Sequence, residues 1–303
     1  MSVSAVADGP PPGLSPSARI WRKLRRHPSA RVGAVLLFVL ICFALLGPAL
    51  ASSDPFTSDF ATGRATDGSP LPPGPVHLLG TDALFRDVLT RLAHGGRLSL
   101  VVAVLATVLS TAIGATVGIV AGTFAGTRHG YVDAVLMRIV DVLLSFPYLL
   151  LVMAIGAALD ATSVGMVLLV LGLTSWLSTA RILRAKTLQL RELGYVEAAR
   201  ALGQKTPSIW VKHILPNVTG PLVVVSTASM ASMILAESVL SFLSVGVQPP
   251  TATWGRMLAE GQRSFAAAPH LVVAPAIAIL VSVLAFNLIG EGLRDALDAK
   301  DVS

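Results

Sequence analysis

The chain alternates long apolar runs with shorter polar connections. The runs are rich in Leu, Val, Ala and Ile and cover 32–51, 98–122, 132–159, 164–180, 222–247 and 271–290. A helix needs about 17 to 25 apolar residues to cross a hydrocarbon core roughly 30 Å thick, and each run reaches that length. Since unpaired backbone groups are costly in lipid, such segments cross the membrane as helices. The pattern predicts an all-α, polytopic membrane protein with six transmembrane helices.

Composition strengthens the membrane prediction. Hydrophobic residues make up 53% of the chain and charged residues 13%, with a mean hydropathy of +0.73. Soluble domains carry about 25% charged residues. The net charge of +6 would also suit a nucleic-acid partner, but the Lys and Arg residues lie beside apolar runs, where the positive-inside rule already explains them. We therefore expect membrane lipid, and not nucleic acid, around this chain.

The distribution of Lys and Arg predicts which connections lie inside the cell. Threading the six runs from an internal N-terminus places 16 of these residues inside and 6 outside. The run 32–51 is longer than the apolar part of a cleavable signal peptide, about 7 to 15 residues, so we expect it to remain as the first span. The resulting division is a cytoplasmic tail 1–31, a first transmembrane helix 32–51, an extracytoplasmic segment 52–97, a five-helix core 98–290 and a cytoplasmic tail 291–303.

The 188–218 segment, between the fourth and fifth runs, is basic and partly amphipathic. Its apolar side chains repeat at the i, i+3, i+4 and i+7 spacing of one helix face: Tyr195, Ala198, Ala199 and Leu202. Glu197 and Arg200 flank this stripe, and Gly203 is placed to end the helix. Two prolines further on punctuate a second short helix that leads into the next span. The pattern predicts a helix-turn-helix unit that acts as a docking surface rather than a catalytic site.

The same segment resembles a known family. Glu197-Ala198-Ala199, then Gly203 and Leu215-Pro216, resemble the EAA loop of binding-protein-dependent ABC importer permeases, and KHILPN at 212–217 resembles their dipeptide/oligopeptide/nickel branch. In that family the loop is the cytoplasmic coupling helix, which sits in a groove of the ATPase subunit. The resemblance implies nine ATPase-coupling residues: Tyr195, Glu197, Ala198, Ala199, Arg200, Leu202, Gly203, Leu215 and Pro216.

Two further stretches carry the resemblance. Residues 79–89, LGTDALFRDVL, are similar to the segment before the permease core of the peptide branch, although Phe85 stands where that branch commonly has Gly. Residues 286–298 are similar to the C-terminal signature of the same branch. From the residues themselves, Thr81 or Asp82 is predicted to cap a short amphipathic helix lying against the membrane surface.

Polar and small residues interrupt the apolar runs at a few positions. Arg138 and Asp141, three apart in the third run, are predicted to pair on one helix face, so that neither charge is buried alone. Pro147 is predicted to kink this helix, which by resemblance lines the translocation path. The second run carries a small-xxx-small series that lets helix backbones approach closely: Gly114, Gly118 and Gly122.

Glu237 lies well inside the fifth run, where an ionised carboxylate costs roughly 2.5 to 3.5 kcal/mol to insert. Its side chain should therefore face protein or a water-filled cavity. One hypothesis is a proton relay in a self-contained secondary transporter, a class that typically shows internal repeats and broken helices. Residues 236–243, AESVLSFL, resemble the peptide permeases, which implies that Glu237 and Ser241 form an interhelical hydrogen bond, a gate or part of the path.

The sequence lacks the motifs of enzymes that act at membranes. It contains no G-x-x-x-x-G-K-[ST] phosphate-binding loop and no H-E-x-x-H zinc motif. Its six His residues are scattered, and Cys42 is the single cysteine. We therefore expect no catalytic residue, metal or cofactor on this chain, and we expect ATP and Mg in partner ATPase subunits.

The resemblance supplies the remaining expectations. It implies the ABC type I importer permease fold and a C-type subunit of the bacterial inner membrane that is not itself an enzyme. The implied partners are a homologous second permease, two ABC ATPase subunits and an extracytoplasmic substrate-binding protein. Di- or oligopeptides are the implied cargo, with nickel or other solutes left open.

Overall fold

The structure, a computed structural model, describes residues 16–50, 54–159 and 162–297. Within these ranges the regular elements are helices and no strand forms, which confirms the all-α class. Residues 1–15 and 298–303 of the two predicted tails lie outside the described residues. The elements in order are α1 (Pro16–Arg26), α2 (Pro28–Leu50), α3 (Val88–Phe124), α4 (Tyr131–Leu144), α5 (Tyr148–Ala158), α6 (Val164–Thr174), α7 (Leu177–Arg191), α8 (Gly194–Ala201), α9 (Thr206–Ile209), a π-helical turn (Trp210–Ile214), α10 (Leu215–Phe242), α11 (Trp254–Gln262) and α12 (His270–Leu297).

The helices account for the six predicted spans. In the described ranges, five stretches are long and apolar enough to cross a membrane: Pro28–Pro48, Val88–Phe124, Val164–Arg191, Thr206–Phe242 and His270–Leu297. A sixth span results when α4 and α5, which meet at an angle of 95°, are counted as one broken span. Pro147 is the N-cap residue of α5. Because proline lacks a backbone N–H and cannot continue the preceding helix, the predicted kink at this residue is confirmed.

The segment before α3 differs from the predicted short helix capped by Thr81 or Asp82. The Asp82 carboxylate instead accepts hydrogen bonds from the backbone N–H groups of Leu84 and Arg86 at 2.8 and 3.0 Å, which closes a turn. Phe85 has a φ of 59°, a left-handed conformation that does not continue a helix. The prediction of a helix at this point is wrong.

α3 begins directly after this turn. The carboxylate of Asp87 accepts a hydrogen bond from the backbone N–H of Thr90 at 2.7 Å and so caps the helix. The helix then continues without a break for 37 residues. Residues 88–97, predicted as part of the extracytoplasmic segment, therefore belong to the same helix as the second span.

Three other helices also extend beyond their predicted apolar runs. α7 ends at Arg191 rather than near 180, and α12 continues to Leu297 rather than ending near 290. α10 begins at Leu215, before the predicted run 222–247. Pro216 favours this early start, because the first turn of a helix leaves its N–H groups unpaired in any case. Apolar runs mark the membrane-crossing part of a helix, whereas polar residues extend it at either end.

α3 and α7 make the most extensive helix–helix contact of the described chain. A Cβ atom added at Gly118 would lie 2.6 Å from the carbonyl oxygen of Ala180 and 2.7 Å from the Cβ of Leu183. Gly114 and Gly122, one turn to either side, are equally tight against α7. The predicted close approach of helix backbones is confirmed, and it fixes α3 and α7 as one packed pair.

The bundle has two ends that differ in character. We name the end where α3 finishes and α8 and α9 lie the loop end. We name the opposite end, where α3 begins and α11 lies, the far end. The candidate functional residues divide between these two ends and the exposed face of α4 and α5.

Candidate functional site

The 188–218 segment folds at the loop end as the predicted helix, turn and helix. α8 covers Gly194–Ala201, and Gly203 follows with a φ of +77°. The N–H of Gly203 donates to the carbonyl of Arg200 at 3.0 Å, and the N–H of Gln204 donates to that of Ala199 at 3.1 Å. This pair of bonds is the Schellman motif, which requires a left-handed residue and therefore favours glycine. The prediction that Gly203 ends the helix is confirmed.

The predicted apolar stripe of α8 is largely exposed, with only Ala199 half-buried. The side chain of Leu202 is 87% exposed and that of Tyr195 is 44% exposed, and Ala198 is also exposed. The residue that holds α8 against the bundle is Val196, which is fully buried. Val196 was missed in the sequence because it lies outside the predicted stripe. α8 has apolar residues on two faces, one exposed and one packed against the bundle. The described residues of the chain leave most of this stripe uncovered.

The second half of the segment returns to the bundle through α9 and the π-helical turn. Ile209 and Ile214 are buried in one apolar cluster with Val196 and, from the spans, Ile119 and Leu183. No sequence signal predicted the π-helical turn, which is a conformation found preferentially at functional sites.

Polar contacts define the outer edge of the segment. The Nε2 atom of His213 lies 3.0 Å from the Oε1 atom of Gln204. The ring of Tyr195 lies 5.9 Å from that of His213, centroid to centroid. Leu215 and Pro216 form the first turn of α10, where both are exposed. These contacts join the two halves of the segment into one unit.

Two residues that sequence reasoning missed tie this unit to α3. Arg191 donates hydrogen bonds to backbone carbonyls at the end of α3, including that of Gly122 at 3.1 Å. Trp210 donates from Nε1 to the hydroxyl of Thr123 at 2.9 Å. Arg191 looked like one of several inner basic residues, so its sequence position alone gave no signal of this contact.

The exposed face of α4 and α5 carries Arg138, Asp141 and Pro147. The predicted pairing of Asp141 with Arg138 is wrong, because the Asp141 carboxylate accepts a hydrogen bond from Arg181 of α7. α4 packs beside α7, which brings a second helix close enough to supply the cation; Asp133 of α4 pairs with α7 in the same way.

The Asp141–Arg181 pair is also half exposed on this face. Apolar side chains surround it, including Ile139 and Val142, which are themselves about half exposed. Exposed apolar side chains can face lipid within a membrane, whereas a charged pair is costly there. Contact with water or with another protein would suit the Asp141–Arg181 pair better than contact with lipid.

Glu237 is enclosed, with no exposed surface, where α3, α10 and α11 meet. Its Oε1 atom accepts a hydrogen bond from the hydroxyl of Ser241 at 2.9 Å, and its Oε2 atom accepts one from Ser99 of α3 at 3.2 Å. The backbone N–H of Trp254 donates in turn to the Ser99 hydroxyl at 3.2 Å. This arrangement favours the interhelical hydrogen bond among the roles predicted for Glu237 and Ser241. Glu237 and Ser241 are buried and do not lie on the exposed face of α4 and α5.

An ion cluster that the sequence did not reveal closes the far end. Arg86 pairs with Asp82 at 2.7 Å, whereas Glu260 pairs with Arg91 at 2.8 Å and with Arg256 at 3.2 Å. These residues line a cavity of about 500 Å³. Since Glu260 is remote in sequence from Arg91, only the fold brings them together. In the described residues, no group of three or more His, Cys, Asp or Glu side chains is placed to hold a metal ion.

These features define an integral membrane protein with an exposed, structured loop at one end. Residues 118–300 match the family described as binding-protein-dependent transport system inner membrane component, and residues 15–73 match the N-terminal TM domain of oligopeptide transport permease C. The chain belongs to this family of inner membrane transport components, which has the ABC type I permease fold.

Relatives cover nearly the whole chain. The oligopeptide transport system permease protein OppC of Salmonella typhimurium is 42% identical over 286 residues, which is 93% of this chain and 92% of the relative. The dipeptide transport system permease protein DppC of Bacillus subtilis is 37% identical, over 95% of this chain and 87% of the relative. The glutathione transport system permease protein GsiD of Escherichia coli is 37% identical, over 94% and 91%.

Proposed function

We propose that this chain is the C-type permease subunit of an ATP-driven importer of di- or oligopeptides. The observation that carries the proposal is the outward apolar stripe of α8, with Leu202 at its exposed tip. An apolar surface on an ordered helix marks an interaction site. The names of the relatives, which include oligopeptide and dipeptide permeases, support the choice of cargo.

The stripe is proposed to dock in a groove of an ABC ATPase subunit. The coupling residues predicted from the sequence lie on α8, on its C-terminal turn and at the start of α10. This arrangement requires the loop end to be cytoplasmic, together with both chain termini, as the excess of inner Lys and Arg also predicts. ATP and Mg would then be bound by the ATPase partners, and this chain would supply no chemistry.

The exposed face of α4 and α5 is proposed to form half of the translocation path with a homologous second permease. Arg138, Asp141 and Pro147 lie on this face, and a half-exposed ion pair there is stable only against protein or water. Closure of the ATPase subunits would push the 188–218 segment and swing the helices as rigid bodies between inward- and outward-facing states. An extracytoplasmic substrate-binding protein would deliver the cargo at the far end.

The alternative of a self-contained secondary transporter gains no support from Glu237. Its carboxylate is enclosed by Ser99 and Ser241, away from any exposed surface of the described chain. A proton relay needs further titratable groups in contact with the acid, whereas hydroxyl groups make these contacts. The relatives are also named as permease proteins of multi-component oligopeptide and dipeptide transport systems, which favours the importer over a self-contained transporter.

Affinity purification of this chain from its native membrane in mild detergent, followed by mass spectrometry, tests the proposal. We expect a second six-span permease and P-loop ATPase subunits to co-purify. A binding protein encoded with them, once expressed, would be titrated with di-, tri- and pentapeptides and with a nickel chelate to test the cargo. Recovery of the chain alone, with no ATPase in any of several mild detergents, would contradict the proposal.

A further inference from the structure

The 188–218 segment makes its polar contacts with the spans at one patch of the structure. This patch is the end of α3 at residues 122–125. Two side chains of the segment reach this patch. Arg191 lies where α7 ends, and Trp210 lies in the second half of the segment, where the π-helical turn begins. The patch therefore fixes both the departure of the chain from the bundle and its return.

Arg191 acts as a cap for α3. Its Nη1 atom donates to the backbone carbonyls of Gly122 at 3.1 Å and Thr123 at 3.3 Å, and also to that of Ala125. The last carbonyls of an α-helix have no partner within the helix, and their partial negative charge favours a cation. The Arg191 side chain is mostly buried in this position. A neutral side chain could not replace both the charge and the hydrogen bonds.

Trp210 makes the second contact with the patch. Its Nε1 atom donates to the hydroxyl of Thr123 at 2.9 Å, and that hydroxyl donates to the carbonyl of Ile119 at 2.7 Å. The Trp210 ring also lies edge-to-face against Phe124, with centroids 6.5 Å apart. Arg191 and Trp210 thus contact neighbouring residues of the same helical turn.

α3 connects this patch to the far end of the molecule. It is unbroken over 37 residues, a length of about 55 Å at 1.5 Å per residue. At the far end, the carbonyl of Leu92 accepts a hydrogen bond from Nε1 of Trp254 at 2.9 Å, and Ser99 binds Glu237. One continuous helix therefore touches the 188–218 segment at one end and the buried cluster at the other.

We propose that Arg191 is a positioning residue that locks the 188–218 segment to α3, so that movement of the segment is transmitted to the far end. This inference rests on the proposed function, in which an ATPase displaces the segment. Arg191 does not contact the ATPase or the cargo in this account. Its loss leaves the docking stripe of α8 and the apolar cluster around Val196 intact, but removes the polar contact between the segment and the end of α3, so that α8 moves more freely relative to α3.

The test compares Arg191→Gln, Arg191→Lys and wild type in the complete transporter, reconstituted in proteoliposomes with its binding protein. Uptake of a labelled cargo peptide and ATP hydrolysis are measured on the same vesicles. We expect Arg191→Gln to assemble and hydrolyse ATP, while uptake per ATP falls about tenfold, within the usual range of coupling between sites. Arg191→Lys restores most of the coupling, because an ammonium group also supplies charge and several donors to the three carbonyls.

Arg128→Gln is the matched control. Arg128 is exposed at the same end of the molecule and makes no ion pair in the described chain, so its neutralisation should leave uptake per ATP unchanged. Trp210→Phe, which removes the N–H donor and part of the indole ring but keeps an aromatic side chain, should weaken coupling less than Arg191→Gln. The double variant should lose less than the product of the two single effects, because both residues hold one patch.

Two results would overturn the inference. Unchanged uptake per ATP in Arg191→Gln would show that the contact does not transmit movement. Failure of this variant to retain the ATPase subunits would show a role in assembly instead. Either outcome differs from failure of the proposed function, in which the wild-type chain itself neither retains an ATPase nor supports uptake.

Discussion

The two ends of this molecule are built in opposite ways. At the far end, Glu237 and Trp254 are fully buried, and Arg91 is paired with Glu260 from a remote part of the sequence. At the loop end, Leu202 is almost fully exposed and a Cβ added to Gly203 would meet no atom within 4 Å. The far end is held by contacts within the chain, whereas the loop end presents an exposed apolar surface, on which the ATPase subunit is proposed to dock.

The difference separates two kinds of substitution. At the far end, a change should act on folding, because the altered side chain has partners in this chain. At the loop end, a change should act on transport with little effect on folding, because the exposed stripe is proposed to contact another protein rather than this chain. A substitution whose measured effect breaks this pattern would show that the division between the two ends is wrong.

The largest effect on stability is expected at Glu237. Glu237→Ala removes the acceptor for two buried hydroxyls and leaves a cavity, and should cost about 3 kcal/mol of folding stability. Glu237→Gln keeps the shape and one acceptor oxygen and should be better tolerated. Thermal unfolding of the purified chain, followed by intrinsic fluorescence, measures both. If Glu237→Gln folded normally but abolished uptake, a role in proton transfer would replace the structural one.

A smaller loss is expected at the contact of α3 with α7. Gly118→Ala places a Cβ atom 2.6 Å from the Ala180 carbonyl oxygen and should cost about 1 to 3 kcal/mol by overpacking. Gly165→Ala is the matched control, because its Cβ would meet no atom within 4 Å. It should be neutral or stabilising, because alanine at this second residue of α6 loses less backbone entropy on folding than glycine. Equal melting temperatures for the two variants would contradict the close contact.

The smallest effect on stability is expected at Gly203. A β-branched residue is strained at a φ of +77°, so Gly203→Val should distort the end of α8 at a cost of about 1 to 2 kcal/mol, confined to this exposed turn. The chain should remain folded and inserted, but peptide uptake should be uncoupled from ATP hydrolysis. Gly203→Asn, which tolerates the left-handed conformation, should retain coupling. Normal uptake by Gly203→Val would show that this turn does not carry the movement.

The sequence predicted those features that depend on local pattern. The six spans follow from apolar runs, the bend at Pro147 follows from proline chemistry, and the end of α8 follows from Gly203. The small residues of α3 likewise predicted its close contact with a neighbouring helix. Each of these features is specified within a few turns of one helix.

Features that depend on remote residues were missed or mistaken. The predicted ion pair joined Asp141 to Arg138, the nearest cation in the sequence. The packing of α4 against α7, which brings Arg181 to Asp141 instead, could not be predicted from the sequence. The cap made by Arg191 and the far-end pair of Arg91 with Glu260 join segments that are distant in sequence. The turn at Phe85 was missed for another reason. Aromatic residues rarely adopt a left-handed conformation, so the pattern of apolar residues around Phe85 predicted a helix rather than a turn.

The most direct test of the account asks whether Leu202 is covered by an ATPase partner. Leu202→Cys and, separately, Phe60→Cys are introduced after Cys42→Ser, since Cys42 is the single native cysteine. Phe60, in the segment before α3, is 70% exposed and serves as the control. Maleimide labelling is timed on the purified chain and on the complete transporter. We expect labelling at 202 to be strongly slowed when the ATPase subunits are bound, and labelling at 60 to proceed at the same rate with and without them. Equal labelling at 202 with and without the ATPase would contradict the account.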